Sequence, residues 1–205
     1  MKAAPRRRAF TDMGSMDHRE GPGGFAGDRA TTRADTTGLL SGSAPSIALI
    51  RPPAARGHLA LTAENNGLVP WCGPAALALA TGCSYADATD MLRATAPEWY
   101  PAEGPIVTAY WRDLLATLAT AGIAHAPHDL PEKRPSLLRL VRDGLAAGWY
   151  LVRVTDHFLL LRSQGFGFAR LHDNHHTDTP LTARSHGRRK VTHAARLLGG
   201  PLLAG

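Results

Sequence analysis

The chain has 205 residues, 44% of them hydrophobic, which suits one globular domain of ordinary size with a further segment beside it. Its 23 Lys and Arg against 17 Asp and Glu leave a formal charge of +6, much of it in "RRR" at 6–8 and "RRK" at 188–190. No apolar stretch approaches the ~18 residues of a membrane span, and the N-terminus carries arginines without an apolar core, so neither a membrane anchor nor a secretory signal is expected.

Residues 1–56 are rich in Gly, Arg, Ala, Ser, Thr and Pro. They read as a flexible basic arm, too poor in large apolar side chains to offset its ordering entropy. "SIALI" at 46–50 is its one candidate strand. The basic runs read as solvated. Phosphate neutralisation on nucleic acid is the sharper alternative, and no nucleic-acid-binding motif accompanies them.

A domain is expected over 57–205. Cys72 to Thr81, "CGPAALALAT", reads as a buried helix with Pro74 in its first turn and Gly82 as its stop. "SYADATDMLRA" follows with Ser84 as N-cap and Asp87 three residues on, a variant of the capping box. Thr108 to Gly122 has Trp111, Leu114, Leu115 and Leu118 at helical spacing, and Ser136 to Gly148 forms a fourth helix. The period then changes. "WYLVRVT", "HFLLLR", "FGFARLH" and "KVTHAARLL" are short β-rich runs separated by turn signals. Helices first and consecutive strands second predict an α+β domain with an antiparallel sheet.

The only cysteines are Cys72 and Cys83. Eleven residues of helix set them about 16 Å apart, beyond disulfide reach. The protein therefore reads as reduced and cytoplasmic in origin, or as released without a disulfide framework, as in a virion or particle. Cys72 falls at a helix start, where the dipole and free N–H groups favour a thiolate, and Gly73 would let a substrate backbone approach. Cys83 lacks that context and reads as core. A nucleophilic thiolate needs a base held by a third group. His157 opens a buried strand, and a hairpin centred on Gly165 would set it opposite Asp173, which would accept from Nδ1–H. A half-pair shift of register would select Asn174 instead. For the oxyanion, the Cys72 backbone N–H is one donor, and the Asn66 or Asn65 amide is the candidate second. Trp71 is either a cleft wall or core.

"CGPAALALA", then "DHFLLL", then "HDN" resemble a papain-like cysteine peptidase, most similar to the C39-like branch and to small papain-fold proteins of phages and bacteria. The resemblance spans roughly 60–198, with matching motifs in under a third of it. It implies Cys72 as nucleophile, His157 as base and Asp173 as orienting residue. Two departures stand out: Asn66 or Asn65 replaces the usual upstream Gln, and Asp156 replaces the common Gly before the histidine.

The expected function is thus a thiol-dependent acyl-transfer hydrolase, acting on a peptide or amide without a cofactor. The alternative is a papain-fold binding or structural module that the arm docks into a larger assembly such as a phage-like particle. "HDNHHTD", His172 to Asp178, holds metal-type ligands, but adjacent His175 and His176 do not share one face of an extended chain. It is read as a solvated loop, with no metal called for.

Overall fold

The structure, a computed structural model, describes residues 56–198. The basic arm and its "SIALI" segment lie outside them. Within the described residues the chain forms mixed helices and one antiparallel sheet, as the order of sequence periods predicts.

Helix α1 (His58–Glu64) leads into α2 (Cys72–Thr81), α3 (Tyr85–Thr95) and α4 (Trp111–Thr120). Every residue of α2 from Gly73 to Ala80 is buried, so this helix has no solvent face. Its small alanines let neighbours close in, while Leu77 and Leu79 each contribute roughly 2 kcal/mol through burial. Gly82 ends it in the left-handed conformation (φ 74°), which costs a residue without a Cβ nothing. Ser84 and Asp87 form the reciprocal capping box at the start of α3.

Two helices are shorter than their periodicity predicts. Thr108 to Tyr110 stay extended ahead of α4, because Ala109 packs on Gly73 and the Tyr110 N–H donates to the Tyr100 hydroxyl at 3.1 Å. Helix α5 (Leu137–Arg142) stops at Asp143, and Gly144 and Gly148, at φ 107° and 144°, turn the chain into the sheet.

The sheet contains β1 (His125–Pro127), β2 (Gly148–Val154), β3 (His157–Gly165), β4 (Phe168–His172), β5 (Thr179–Pro180) and β6 (Val191–Leu197), ordered β1-β6-β2-β3-β4-β5. All neighbours are antiparallel. Alternation along the central strands divides the core into two layers. Leu151, Phe158 and Leu160 pack with α2, α3 and α4. Tyr150, Val152, Leu159 and Leu161 pack with Leu137, Leu140 and Val141 of α5. No helix among the described residues is long and apolar enough to cross a membrane.

The hairpin register differs from the sequence expectation. The β3–β4 turn is Phe166–Gly167, both at positive φ (52° and 81°), and the ladder shifts between Ser163 and Gly165. The pairing is therefore Leu160 with His172, not His157 with Asp173. A two-residue primed turn matches strand twist, which explains why the reversal falls past Gly165.

Candidate active site

Three segments converge at one end of the sheet. Cys72 is the first residue of α2, whose earliest N–H groups have no intrahelical acceptor. The Trp71 N–H donates to the Tyr85 hydroxyl at 3.1 Å, and the Tyr85 N–H donates to Glu64 Oε2 at 2.7 Å, so α1 and α3 hold the helix start. His157 is the first residue of β3, beside a tight turn in which Asp156 has φ 56°. Asp173 lies just past β4 and is 1% exposed.

Asp173 reaches His157 from outside the ladder. Its Oδ1 accepts the backbone N–H groups of His175 and His176 at 2.8 and 2.7 Å, an Asx-type turn that folds the chain back on itself. Its Oδ2 then lies 2.9 Å from His157 Nε2. The expected Nδ1 contact is therefore corrected to Nε2, since Asp173 approaches from beyond the strand end and not across the ladder. Nδ1 is the ring nitrogen left free of Asp173, and His157 lines the same cleft as Cys72, close enough to lower its thiol.

A second histidine occupies the same carboxylate oxygen. His186 Nε2 lies 2.9 Å from Asp173 Oδ2, and its ring stacks on His157 with centroids 4.7 Å apart. His176 Nδ1 is 3.0 Å from Oδ1. Sequence reasoning missed His186, which sits in a turn at Ala183–Gly187 with φ 59°. The only local sign is Thr182 and Ser185, three apart, which cap each other's backbone N–H.

The charges follow from these contacts. Burial alone would raise the Cys72 thiol, but His157 and the backbone N–H groups of Phe158 and Cys72 outweigh it and bring the thiol below its ordinary value. Burial would lower His157, yet the hydrogen bond to Asp173 and the neighbouring Cys72 push it up to about 9. Burial of Asp173 is overcome by His157, His186 and the His175 N–H, which hold its carboxyl well below the usual range. Cys83 goes the other way, pushed up by burial. One thiol is activated and the other is not.

Asn174 does not orient the histidine. Its Nδ2 donates to the Pro70 carbonyl at 2.7 Å, tying the end of β4 to the segment that leads into Cys72. Asn65 spends its amide on the Leu68 carbonyl at 3.0 Å, a local loop closure. Asn66 is an exposed turn residue at φ 55°. Neither lines the cleft at Cys72, so the second oxyanion donor expected from them is not placed there. His172, Asp173 and Asn174 are all buried, which corrects the solvated-loop reading at the start of "HDNHHTD". Asp173 organises that segment. The donor atoms of His157, Asp173 and His186 lie within 4.8 Å of one another. Their mutual hydrogen bonds account for that closeness.

The cleft over Cys72 has a volume of about 210 Å³ and is walled by Val107, Thr108, Ala109, Arg153, Asp156 and Phe158. Trp71 lines a different groove, of about 650 Å³, with Leu68 and Val69. Gly73 is not open to a substrate. A Cβ there would come 2.4 Å from the Ala109 Cβ. Gly73→Ala should therefore cost about 1–3 kcal/mol by overpacking, despite alanine's better helix propensity. Urea unfolding checks it: an unchanged or raised midpoint would show that the 105–110 segment simply moves away.

No protein-family model, curated protein or solved structure matches the chain.

Proposed function

We propose that the protein is a thiol-dependent acyl-transfer hydrolase, a peptidase or amidase with a papain-like arrangement of α2 and the β3–β4 hairpin. The observation that carries this reading is the order Cys72, His157, Asp173: Cys72 and His157 line one cleft, His157 Nε2 lies 2.9 Å from Asp173 Oδ2, the thiol is lowered and the carboxyl is held well below its usual range. The Cys72 thiolate attacks the carbonyl carbon, forming a C–S bond and an oxyanion beside the helix-start N–H groups. Collapse breaks the C–N bond, and His157 Nδ1–H passes its proton to the leaving amine. Water then attacks the thioester carbonyl while His157 takes up its proton, the C–S bond breaks, and the acid leaves with the Cys72 thiolate and protonated His157 restored. Asp173 stays ionised throughout and holds the ring in the Nε2–H form.

Alkylation tests the reading. Iodoacetamide at neutral pH should modify Cys72 at least about tenfold faster than Cys83, and His157→Ala should remove most of that advantage. The pH profile has a definite sign. Reactivity of Cys72 should rise through an inflection below that of a free thiol. Turnover should fall as pH passes about 9, where His157 loses the proton it donates. Equal, slow labelling of both thiols would sink the proposal.

One observation favours binding without turnover: Asn65 and Asn66 lie away from the cleft. A chain whose Cys72 alkylates rapidly but never releases an acylated thiol would support that second reading.

A further inference from the structure

Beside the thiol cleft lies a cavity of about 450 Å³ lined by Trp99, Tyr110, Trp111, Arg112 and His193. The two are continuous along the chain and across the sheet. Ala109 walls the cleft and Tyr110 the cavity. Phe158, in the cleft, stacks on Trp111 at 6.5 Å, and Trp111 stacks on His193 at 5.2 Å. His193, Arg153 and Phe158 are direct cross-strand partners on β6, β2 and β3, so they form one row.

This surface combines aromatic faces with positive charge. Trp99 and Tyr110 are 54% and 44% exposed, an unusual position for large rings with no structural need to face water. The Arg112 guanidinium lies 5.5 Å from the Trp99 centroid and 6.0 Å from that of Tyr110. Its Nε donates to the buried Asp113 carboxylate at 3.1 Å. Its Nη groups have no hydrogen-bond partner among the described residues, and the side chain is 67% exposed while held by three neighbours. Arg153 lies 5.6 Å over the Phe158 ring, at the boundary between cleft and cavity. His193 is held below its ordinary range by burial and by Arg153 and Arg134, so it is a neutral hydrogen-bonding group at pH 7. The facing acidic groups are Asp113, engaged with the Tyr100 hydroxyl at 2.7 Å, and Asp156 on the far wall of the cleft.

We infer that this shelf is a substrate subsite for a carboxylate-bearing residue flanking the bond attacked by Cys72, with Arg112 and Arg153 taking the charge and the Trp99 and Tyr110 rings taking its apolar stem. The inference rests on the hydrolase reading and specifies its substrate: an acidic peptide or acyl segment. A planar guanidinium pinned on rings suits a carboxylate's two oxygens, and a lysine-bearing segment would meet two like charges there.

The test uses the full chain and matched short peptidyl vinyl sulfones carrying Glu, Gln or Lys beside the reactive carbon. The second-order rate of Cys72 modification is read by mass spectrometry, with iodoacetamide as each variant's own reference. The Glu probe should react about fivefold faster than Gln, with Lys slowest. The difference should shrink in ~0.5 M salt, as screening of exposed charges requires. Arg112→Gln with Arg153→Gln should bring the Glu-to-Gln ratio to about one. Arg112→Gln alone, at a largely exposed position, should lower it by part of that amount even if the double variant folds poorly. A Glu-to-Gln ratio of one in the parent, or a preference that persists in the variants, overturns the subsite while fast iodoacetamide labelling leaves the thiol assignment standing. Failure of Cys72 to outpace Cys83 with iodoacetamide removes both.

Discussion

Asp173→Asn should leave the protein folded and lower its turnover by roughly 10⁴-fold, the scale seen when an orienting carboxylate becomes an amide. The reason lies in which groups around residue 173 can change their hydrogen bonding. The backbone N–H groups of His175 and His176 are fixed donors, so an asparagine must present its oxygen to them. Its NH₂ then faces His157 Nε2 and His186 Nε2. Two donors cannot share a line, and the His157 ring would move its proton to Nδ1. That proton sits on the nitrogen needed to accept from Cys72. Steady-state kinetics against any substrate the parent turns over checks it, with the thermal midpoint as the control for folding. Asp173→Ala is a harsher change, since it strands two backbone donors and leaves the histidines without their acceptor. It should destabilise by about 3–5 kcal/mol. Activity that survives Asp173→Asn would mean the histidine is oriented by packing, chiefly by the His186 ring, and not by the carboxylate.

Gly187→Ala should be the most damaging single methyl outside the helices. A Cβ at 187 would stand 2.2 Å from the Thr182 carbonyl oxygen and 2.8 Å from its carbon, and both are backbone atoms that cannot swing aside. The Gly187 N–H donates to that same carbonyl at 3.0 Å, closing the turn on which His186 is carried. Relieving the clash opens the turn, lifts His186 from Asp173 and disturbs Leu138, 3.3 Å from the added methyl. The expected loss is about 2–3 kcal/mol. Chemical denaturation of the two proteins measures it, and proteolysis should map new cleavage to 183–189. A variant as stable as the parent would show that the turn has an equally good alternative conformation.

Local chemistry and periodicity made much of this legible in advance. Pro74, Gly82, Ser84 and Asp87 mark their helix ends by rules that act within one turn, and the structure places those ends where the sequence predicts. The register of the β3–β4 hairpin was less legible. Four consecutive glycine and phenylalanine positions, 165–168, offered several turns, and the ladder irregularity after Ser163 shifted the pairing. Asp173 meets His157 by a route the strand-pairing argument did not contain. What the sequence hid is tertiary. His186 comes from 29 positions beyond His157, through a turn whose geometry depends on packing against α5. Asn65 and Asn66 lie near Cys72 in sequence, but Asn65 closes its own loop on the Leu68 carbonyl and Asn66 is an exposed turn residue.

The two sulfur atoms sit at opposite ends of α2, one activated and one not. Peroxide would convert the Cys72 thiolate to a sulfenic acid, and relief normally comes from a second thiol close enough to condense with it. Cys83 is a helix length away, about 16 Å, and the chain has no third cysteine. The oxidised sulfur therefore has no neighbouring thiol of its own chain to condense with, and continued exposure carries it toward the irreversible sulfinic state unless an external thiol intervenes.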